Sequence, residues 1–164
     1  MDSEDAHPPD SRPPTLEDLL LLCRSLNETG ARYLVVGGFA VMQHGFTRAT
    51  EDIDLLVESS PENQAKVKKA LEALPDKAVL ALGDDDLRNW VVVRVADEIV
   101  VDLMLAACGI GYEEASKEIE IVHLQGVPIP FASPALLLRM KQTHREKDHL
   151  DRMFLERKLR GENP

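Results

Sequence analysis

Three aspartates stand in apolar segments of the chain, where an acidic side chain is costly unless a cation accompanies it. Asp52 and Asp54 are separated by one apolar residue, and Asp102 lies in a second apolar run. On a β-strand, Asp52 and Asp54 would leave the same face with their Cα atoms about 6.5–7 Å apart. Carboxylates so placed repel each other, and Mg²⁺ or Mn²⁺, which prefer oxygen ligands, would relieve the repulsion. One Asp-x-Asp is also typical of solvated acids at an ordinary strand end, but three acids of this kind predict a site for two metal ions.

A pair of glycines, Gly37 and Gly38, stands between an apolar run and a short helical segment. Glycines at such a junction let backbone amides approach an anion closely, and phosphate fits that role. An isolated Gly-Gly would indicate only a tight turn. The order of the segments favours a phosphate site, because an apolar strand and the glycines are followed by Asp52 and Asp54 and then, separately, by Asp102.

This arrangement resembles the nucleotidyltransferase superfamily of the polymerase beta type, whose members carry Gly-Gly or Gly-Ser ahead of Asp-apolar-Asp. Residues 36–55 are similar in more detail to the AbiEii and MenT toxin-type branch, which shows Gly-Gly, Ala, His-Gly and Arg-x-Thr-x-Asp-Ile-Asp-Leu in that order. Residues 133–151 resemble the downstream Lys and Arg-x-x-Asp-x-x-Asp motif of the same branch. The resemblance covers roughly residues 31–155.

The resemblance implies a minimal nucleotidyltransferase fold that moves NMP from an NTP to an acceptor hydroxyl and releases pyrophosphate. The catalytic residues it implies are Asp52, Asp54, Asp102 and Lys141, and the three aspartates would bind the metal ions. The nucleotide-binding residues it implies are Gly37, Gly38, Arg48, Thr50, Lys141 and Asp148. Asp102 would also help to deprotonate the acceptor. For Arg48, Lys141, Arg145 and Asp148 the alternative is a set of surface salt bridges.

Two classes of acceptor stay open. The resemblance implies RNA, and a tRNA 3′ end in particular, and residues 139–160 support it with eight Lys or Arg against four Asp or Glu. The net charge of −10 instead favours a cationic small molecule, as in antibiotic-modifying members of the superfamily. A non-catalytic nucleotide-binding module is a third alternative, against which the three acids argue. The resemblance also implies a cognate antitoxin, or another protein, as a candidate partner.

The segments around these residues predict an α/β (α+β) fold with a mixed β-sheet flanked by helices and a helical C-terminus. We expect helices at residues 15–29, 39–44, 61–74 and 112–117, and strands at 33–36, 52–57, 119–124 and 127–131. Residues 90–95 and 98–105 predict an antiparallel hairpin that turns at Ala96-Asp97, with residues 79–82 as an added edge strand. One last helix would run from Ser133 toward Arg160 with a break near Lys147, and it would place Lys141, Arg145 and Asp148 on one face.

The polar ends of the chain predict a disordered leader at residues 1–14 and a tail at 161–164, around a single domain at 15–160. We expect Cys23 and Cys108 to be buried and Trp90 to pack in the core. Residues 109–111 predict a loop. No segment has about 20 uninterrupted apolar residues, and the start lacks the basic residues of a signal peptide. We therefore expect a cytoplasmic protein that does not contact a membrane.

Overall fold

The computed structural model describes residues 10–162. In chain order its strands are β1 (Tyr33–Val36), β2 (Asp52–Val57), β3 (Val93–Ala96), β4 (Val100–Met104), β5 (Ala106–Ala107), β6 (Ile110–Gly111), β7 (Ile119–Leu124) and β8 (Val127–Ala132). Its α-helices are α1 (Leu16–Thr29), α2 (Gly37–Gln43), α3 (Pro61–Leu71), α4 (Asp86–Asn89), α5 (Tyr112–Ala115), α6 (Pro134–Met140) and α7 (Glu146–Leu159). Two 3₁₀ turns lie at Ala78–Ala81 and Ser116–Glu118.

Six of the strands form one mixed sheet in the order β3-β4-β2-β1-β8-β7. Neighbours pair in parallel at β2–β4 and β1–β8, and antiparallel at β3–β4, β1–β2 and β7–β8. The strands β5 and β6 form a separate two-stranded ribbon. The expected α/β fold, a mixed sheet flanked by helices, is confirmed.

The helix α1 begins with a capping box between Thr15 and Asp18 and ends at Gly30, whose φ of 74° suits glycine. It packs against α3, and both helices rest on the sheet. Helix α2 contacts β2 and α6, and α6 in turn contacts α7. Every residue of β1 and β4 is buried, which is the continuous apolar pattern of strands covered on both faces.

The expected edge strand at residues 79–82 is wrong, since this segment forms the 3₁₀ turn Ala78–Ala81. The cause is the buried carboxylate of Asp97, which accepts hydrogen bonds from the backbone N–H groups of Asp76 and Ala78, both at 2.9 Å. These bonds tie the segment into a turn beneath the β3–β4 hairpin. The predicted loop at residues 109–111 contains β6, which pairs with β5.

Two predictions of burial are also wrong. Trp90 is 66% exposed, because β3 begins only at Val93 and the residues before it lie outside the sheet. Cys108 is exposed while Cys23 is buried. The Sγ–H of Cys108 donates to the carbonyl oxygen of Met140 at 3.2 Å, beside the cleft described below.

The predicted last helix is two helices, and the chain leaves helical geometry at residues 141–145 rather than near Lys147. At the other end, residues 1–9 of the expected leader and residues 163–164 of the expected tail lie outside the described residues. Residues 11 and 12 of that leader contact the hairpin: the Ser11 hydroxyl donates to the carbonyl of Asp97 at 2.7 Å, and the Arg12 backbone N–H donates to that of Glu98 at 2.9 Å.

Candidate active site

The three aspartates predicted to bind metal meet on one face of the sheet, because β2 and β4 are adjacent and parallel. Asp54 lies opposite Asp102 in the strand register, and Asp52 shares the face of Asp54. One carboxylate oxygen from each of the three lies within 4.8 Å of the others. Asp52 and Asp102 are buried and Asp54 is half-buried. The structure therefore brings together three acids that are 50 residues apart in the chain at most.

Burial is the main cause that raises the pKa of both Asp52 and Asp54 above its ordinary value. The charges of neighbouring carboxylates raise the pKa further, those of Asp54 and Asp102 acting on Asp52 and that of Asp102 acting on Asp54. Lys141 and Lys147 oppose this effect at Asp54. Acids that are this reluctant to ionise are stabilised by any cation placed among them.

Gly37 has to be a glycine because its backbone lies against Asp54. Its φ is 67°, and a Cβ there would stand 2.0 Å from Oδ2 and 2.9 Å from Cβ of Asp54. A Cβ on Gly38 would similarly meet Oγ1 of Thr50 at 2.6 Å and the guanidinium of Arg48 at 3.2 Å. The glycine pair therefore leaves room for the acids on one side and for the Arg48–Thr50 segment on the other.

Arg48 and Thr50 belong to the loop that enters β2. The hydroxyl of Thr50 donates to the carbonyl oxygen of Asp52 at 3.1 Å, which fixes the start of the strand. The guanidinium of Arg48 donates two hydrogen bonds of 2.9 Å to the carboxylate of Asp151 on α7. This bidentate pair joins the loop to the C-terminal helix.

Lys141 lies in the break between α6 and α7, so it does not share a helix with Asp148 as the sequence predicted. The two residues nevertheless meet, because the break turns the Nζ of Lys141 toward the first turns of α7. Nζ is 3.3 Å from Asp148 and 3.0 Å from Asp151, which is fully buried. A guanidinium hydrogen bond of 3.0 Å from Arg152 to the carbonyl oxygen of Thr143 holds the break in place.

Arg94 is the site residue that sequence reasoning missed. It lies opposite Asp102 in the antiparallel β3–β4 pair, and its guanidinium donates two hydrogen bonds of 3.0 Å to that carboxylate. A third contact, of 3.3 Å, reaches Oδ2 of Asp52. A basic residue in the hairpin next to Asp102 was the available signal, but the predicted turn gave the wrong register.

All the predicted site residues line one cleft: Gly37, Gly38, Arg48, Thr50, Asp52, Asp54, Asp102, Lys141 and Asp148. Arg145 and Lys147 line it as well, and so do Val91 and Cys108. The cleft thus combines three clustered carboxylates, several basic side chains and the backbone of the glycine pair. An anion with several charges, accompanied by metal ions, suits such a lining.

Residues 20–144 match the family described as "Nucleotidyl transferase AbiEii toxin, Type IV TA system". The chain belongs to the AbiEii nucleotidyltransferase family. No curated protein matches the sequence closely enough to add to this. The family is one of toxin-type enzymes, and the chain is accordingly a nucleotidyltransferase.

Solved structures with the same fold include enzymes that adenylylate antibiotics. The lincosamide antibiotic adenylyltransferase LnuA with lincomycin bound aligns with a TM-score of 0.57 at 17% identity, over 88% of this chain and 98% of that one. ANT(2″)-Ia in complex with adenylyl-2″-tobramycin aligns with 0.57 at 15% identity, over 88% and 90%. A protein from Thermotoga maritima described as a nucleotidyltransferase aligns with 0.53 at 16% identity, over 99% and 100%. At these identities the likeness establishes the fold, which is of the polymerase beta type.

Nucleotidyltransferases generally use a divalent metal ion and an NTP, and the residues present fit both. One oxygen from each of three carboxylates lies within 4.8 Å of the other two, and oxygen donors are what Mg²⁺ and Mn²⁺ prefer. The close approach of Gly37 to Asp54 shows that this convergence is built into the backbone. Among residues 10–162, no helix is both long and apolar enough to cross a bilayer.

Proposed function

We propose that this protein transfers NMP from an NTP to the hydroxyl group of an acceptor and releases pyrophosphate. The observation that carries the proposal is the single cleft in which the Asp52, Asp54 and Asp102 carboxylates cluster beside Lys141 and Lys147. A triphosphate in that cleft would meet metal ions held by the acids and cationic side chains from the α6–α7 region. Catalysis of phosphoryl and nucleotidyl transfer comes mainly from positive charges that the protein positions around the reacting phosphate before the reaction.

Asp52, Asp54 and Asp102 would hold the divalent ions, Mg²⁺ or Mn²⁺, which neutralise phosphate oxygens and lower the pKa of the acceptor hydroxyl. The backbone of Gly37 and Gly38, which lines the cleft, would contact phosphate next to the acids. The carboxylate of Asp102 accepts the proton of the acceptor hydroxyl. A new bond joins the acceptor oxygen to the α-phosphorus, and the bond from that phosphorus to the bridging oxygen of the β-phosphate breaks. Pyrophosphate leaves with the electron pair of that bond.

Lys141 and Arg48 would bind the phosphates. The ammonium of Lys141 donates a hydrogen bond to Asp148 and forms an ion pair with Asp151, and another of its three hydrogens would serve a phosphate oxygen. Arg48 uses three of its five N–H groups, two on Asp151 and one on the carbonyl of Ala49. Asp148 and Asp151 act through these cations by fixing where they point.

For the acceptor we propose RNA, and a tRNA 3′ end in particular, on the basis of membership in the toxin-type family. The charges available for it are fewer than the sequence suggested, because Lys141, Arg145 and Lys147 line the cleft and would serve the triphosphate. Arg157 and Lys158 are exposed near the end of α7 and remain for an RNA backbone. A cognate antitoxin is the protein partner that the same family membership suggests.

A cationic small molecule is the second candidate acceptor. Val91, which is 81% exposed, lines the cleft, and the exposed Trp90 and the acids Asp84 and Asp85 lie close before it in the chain. An apolar residue in the cleft, with acidic residues near it in the chain, suits a cationic organic acceptor better than a polyanion. The similar folds of LnuA and ANT(2″)-Ia support this candidate without deciding it.

The test is a transfer assay with each α-³²P-labelled NTP and either Mg²⁺ or Mn²⁺, in which cellular RNA and a panel of aminoglycosides and lincosamides compete as acceptors. Asp52→Asn and Asp54→Asn are the inactive controls, and Glu62→Gln, on an exposed side chain paired with Lys66, is the charge-matched active control. We expect label on RNA that is absent with the aspartate variants. Label that persists with Asp52→Asn contradicts the metal site, and label on the small molecules alone selects the second acceptor.

A further inference from the structure

The guanidinium of Arg94 lies among the same carboxylates that the proposed function assigns to metal. Both oxygens of Asp102 accept hydrogen bonds from it, at 3.0 Å each, and its Nη2 is also 3.3 Å from Oδ2 of Asp52. Nη2 therefore bridges two of the three acids. The position is fixed by the fold, because Arg94, Asp102 and Asp54 form one row across β3, β4 and β2.

We propose that Arg94 is a built-in counter-cation that holds Asp52 and Asp102 together when no metal is bound and that competes with the divalent ion for them. This inference rests on the proposed function, since it takes the three acids as the metal ligands. A guanidinium and a metal ion both require lone pairs of the same oxygens, and each repels the other as a positive charge. Metal binding then includes the cost of displacing Arg94 from at least one acid.

The contact that gives way is the one with Asp52. It is single and 3.3 Å long, whereas the contact with Asp102 is bidentate and 3.0 Å at both oxygens. The side chain of Arg94 is 24% exposed and stands on β3, an edge strand of the six-stranded sheet. Arg94 would keep its hydrogen bonds to Asp102 while it releases Asp52. The carboxylates would then have a cation among them at every stage of metal binding.

The competition predicts that removal of the guanidinium tightens metal binding. A unit charge about 5 Å from a divalent ion alters its affinity by about tenfold even at the dielectric constant of water. We therefore expect Arg94→Met to bind Mn²⁺ about tenfold more tightly than the wild type, measured by electron paramagnetic resonance of free Mn²⁺ at pH 8 without nucleotide. Arg94→Lys keeps the charge but loses the fork that bridges two carboxylates, so its Kd should fall between the two.

Matched variants separate this inference from the proposed function. Arg88→Met removes the same charge from an exposed side chain that pairs with Asp85, and it should leave the Mn²⁺ affinity within about twofold of the wild type. Asp52→Asn should lose Mn²⁺ binding. If Asp52→Asn binds Mn²⁺ as the wild type does, the proposed metal site is wrong. If it loses Mn²⁺ while Arg94→Met binds equally or more weakly, only the competition is wrong.

Thermal unfolding gives a second readout that needs no turnover. Without metal, Arg94→Met leaves three clustered carboxylates without their guanidinium, so its Tm should fall below that of the wild type at pH 8. Saturating Mn²⁺ should raise the Tm of Arg94→Met by more than it raises that of the wild type. An equal rise in both proteins overturns the competition. Should Arg94→Met fail to fold, the same comparison is made with Arg94→Lys, for which a Kd equal to that of the wild type overturns it.

Discussion

Replacement of Gly37 by alanine tests whether the backbone holds Asp54 in place. The added Cβ would stand 2.0 Å from Oδ2, 2.7 Å from Cγ and 2.9 Å from Cβ of Asp54. Rotation of the carboxylate relieves the first contact, but the contact with Cβ persists unless the strand itself moves. Asp54 must then shift by about 1 Å, and a displacement of this size in a catalytic group costs about 100-fold in rate.

Gly30→Ala is the matched control, because Gly30 has a φ of 74°, close to the 67° of Gly37, with nothing within 4 Å of its Cβ position. The left-handed backbone alone should cost about 1 kcal/mol in the free energy of unfolding, after allowance for the stiffer unfolded chain. Overpacking adds about 1–3 kcal/mol at Gly37, for a total of about 2–4 kcal/mol.

Urea unfolding measures the two free energies, and the labelled-NTP assay, run well below the unfolding transition, measures the two rates. We expect Gly30→Ala to keep nearly full transfer activity and Gly37→Ala to lose about 100-fold. If both variants lose the same free energy and Gly37→Ala keeps more than about a tenth of the activity, the close approach of Gly37 to Asp54 has no functional meaning.

Three further changes address the acids and their cations. Asp52→Asn should abolish transfer and raise the Tm of the metal-free protein at pH 8. Because the pKa of Asp52 is raised in the folded state, the wild type loses stability as pH rises above the ordinary aspartate range, and the gain in Tm should therefore shrink toward pH 4. A gain in Tm that is constant with pH would contradict this origin. Lys141→Ala should weaken NTP binding, measured by equilibrium dialysis with the labelled nucleotide, and an unchanged affinity removes Lys141 from the phosphate site. Asp151→Asn should cost about 3 kcal/mol in urea unfolding, because it removes the buried anion of Arg48 and leaves Lys141 with Asp148 alone. A loss below about 1 kcal/mol would show that these cations are paired well enough without Asp151.

The acids and glycines could be predicted because local periodicity is enough to define them. A separation of two on a strand puts Asp52 and Asp54 on one face whatever the rest of the fold does. Gly-Gly at a strand-to-helix junction likewise marks a close backbone approach, although the group approached is the side chain of Asp54 as well as any phosphate. That Asp102 joins them depends on the pairing of β2 with β4, which the order of the motifs indicated only through resemblance to a family.

In the C-terminal region the predicted contact between Lys141 and Asp148 is present, but the single helix from which it was predicted is not. One continuous helix would have put Lys141 and Asp148 two turns apart on a common face. The chain instead breaks at residues 141–145, and Lys141 reaches both Asp148 and Asp151 from the break. The sequence of the break carries no proline or glycine, and what holds it is tertiary: Arg152 donates to the carbonyl of Thr143, and Asp148 accepts from its hydroxyl.

Arg94 was missed because register is not a local property. A two-residue turn at Ala96-Asp97 would pair Arg94 with Ile99 and place Asp102 on the opposite face of the sheet. The observed hairpin pairs Ala96 with Val100 across a three-residue loop, and this brings Arg94 directly opposite Asp102. The buried carboxylate of Asp97 sets that loop, since it accepts from the backbone of the following residue as well as from two N–H groups of the 3₁₀ segment. Asp97, which lies outside the cleft, thus helps to set the register that places the guanidinium of Arg94 beside the acidic cluster.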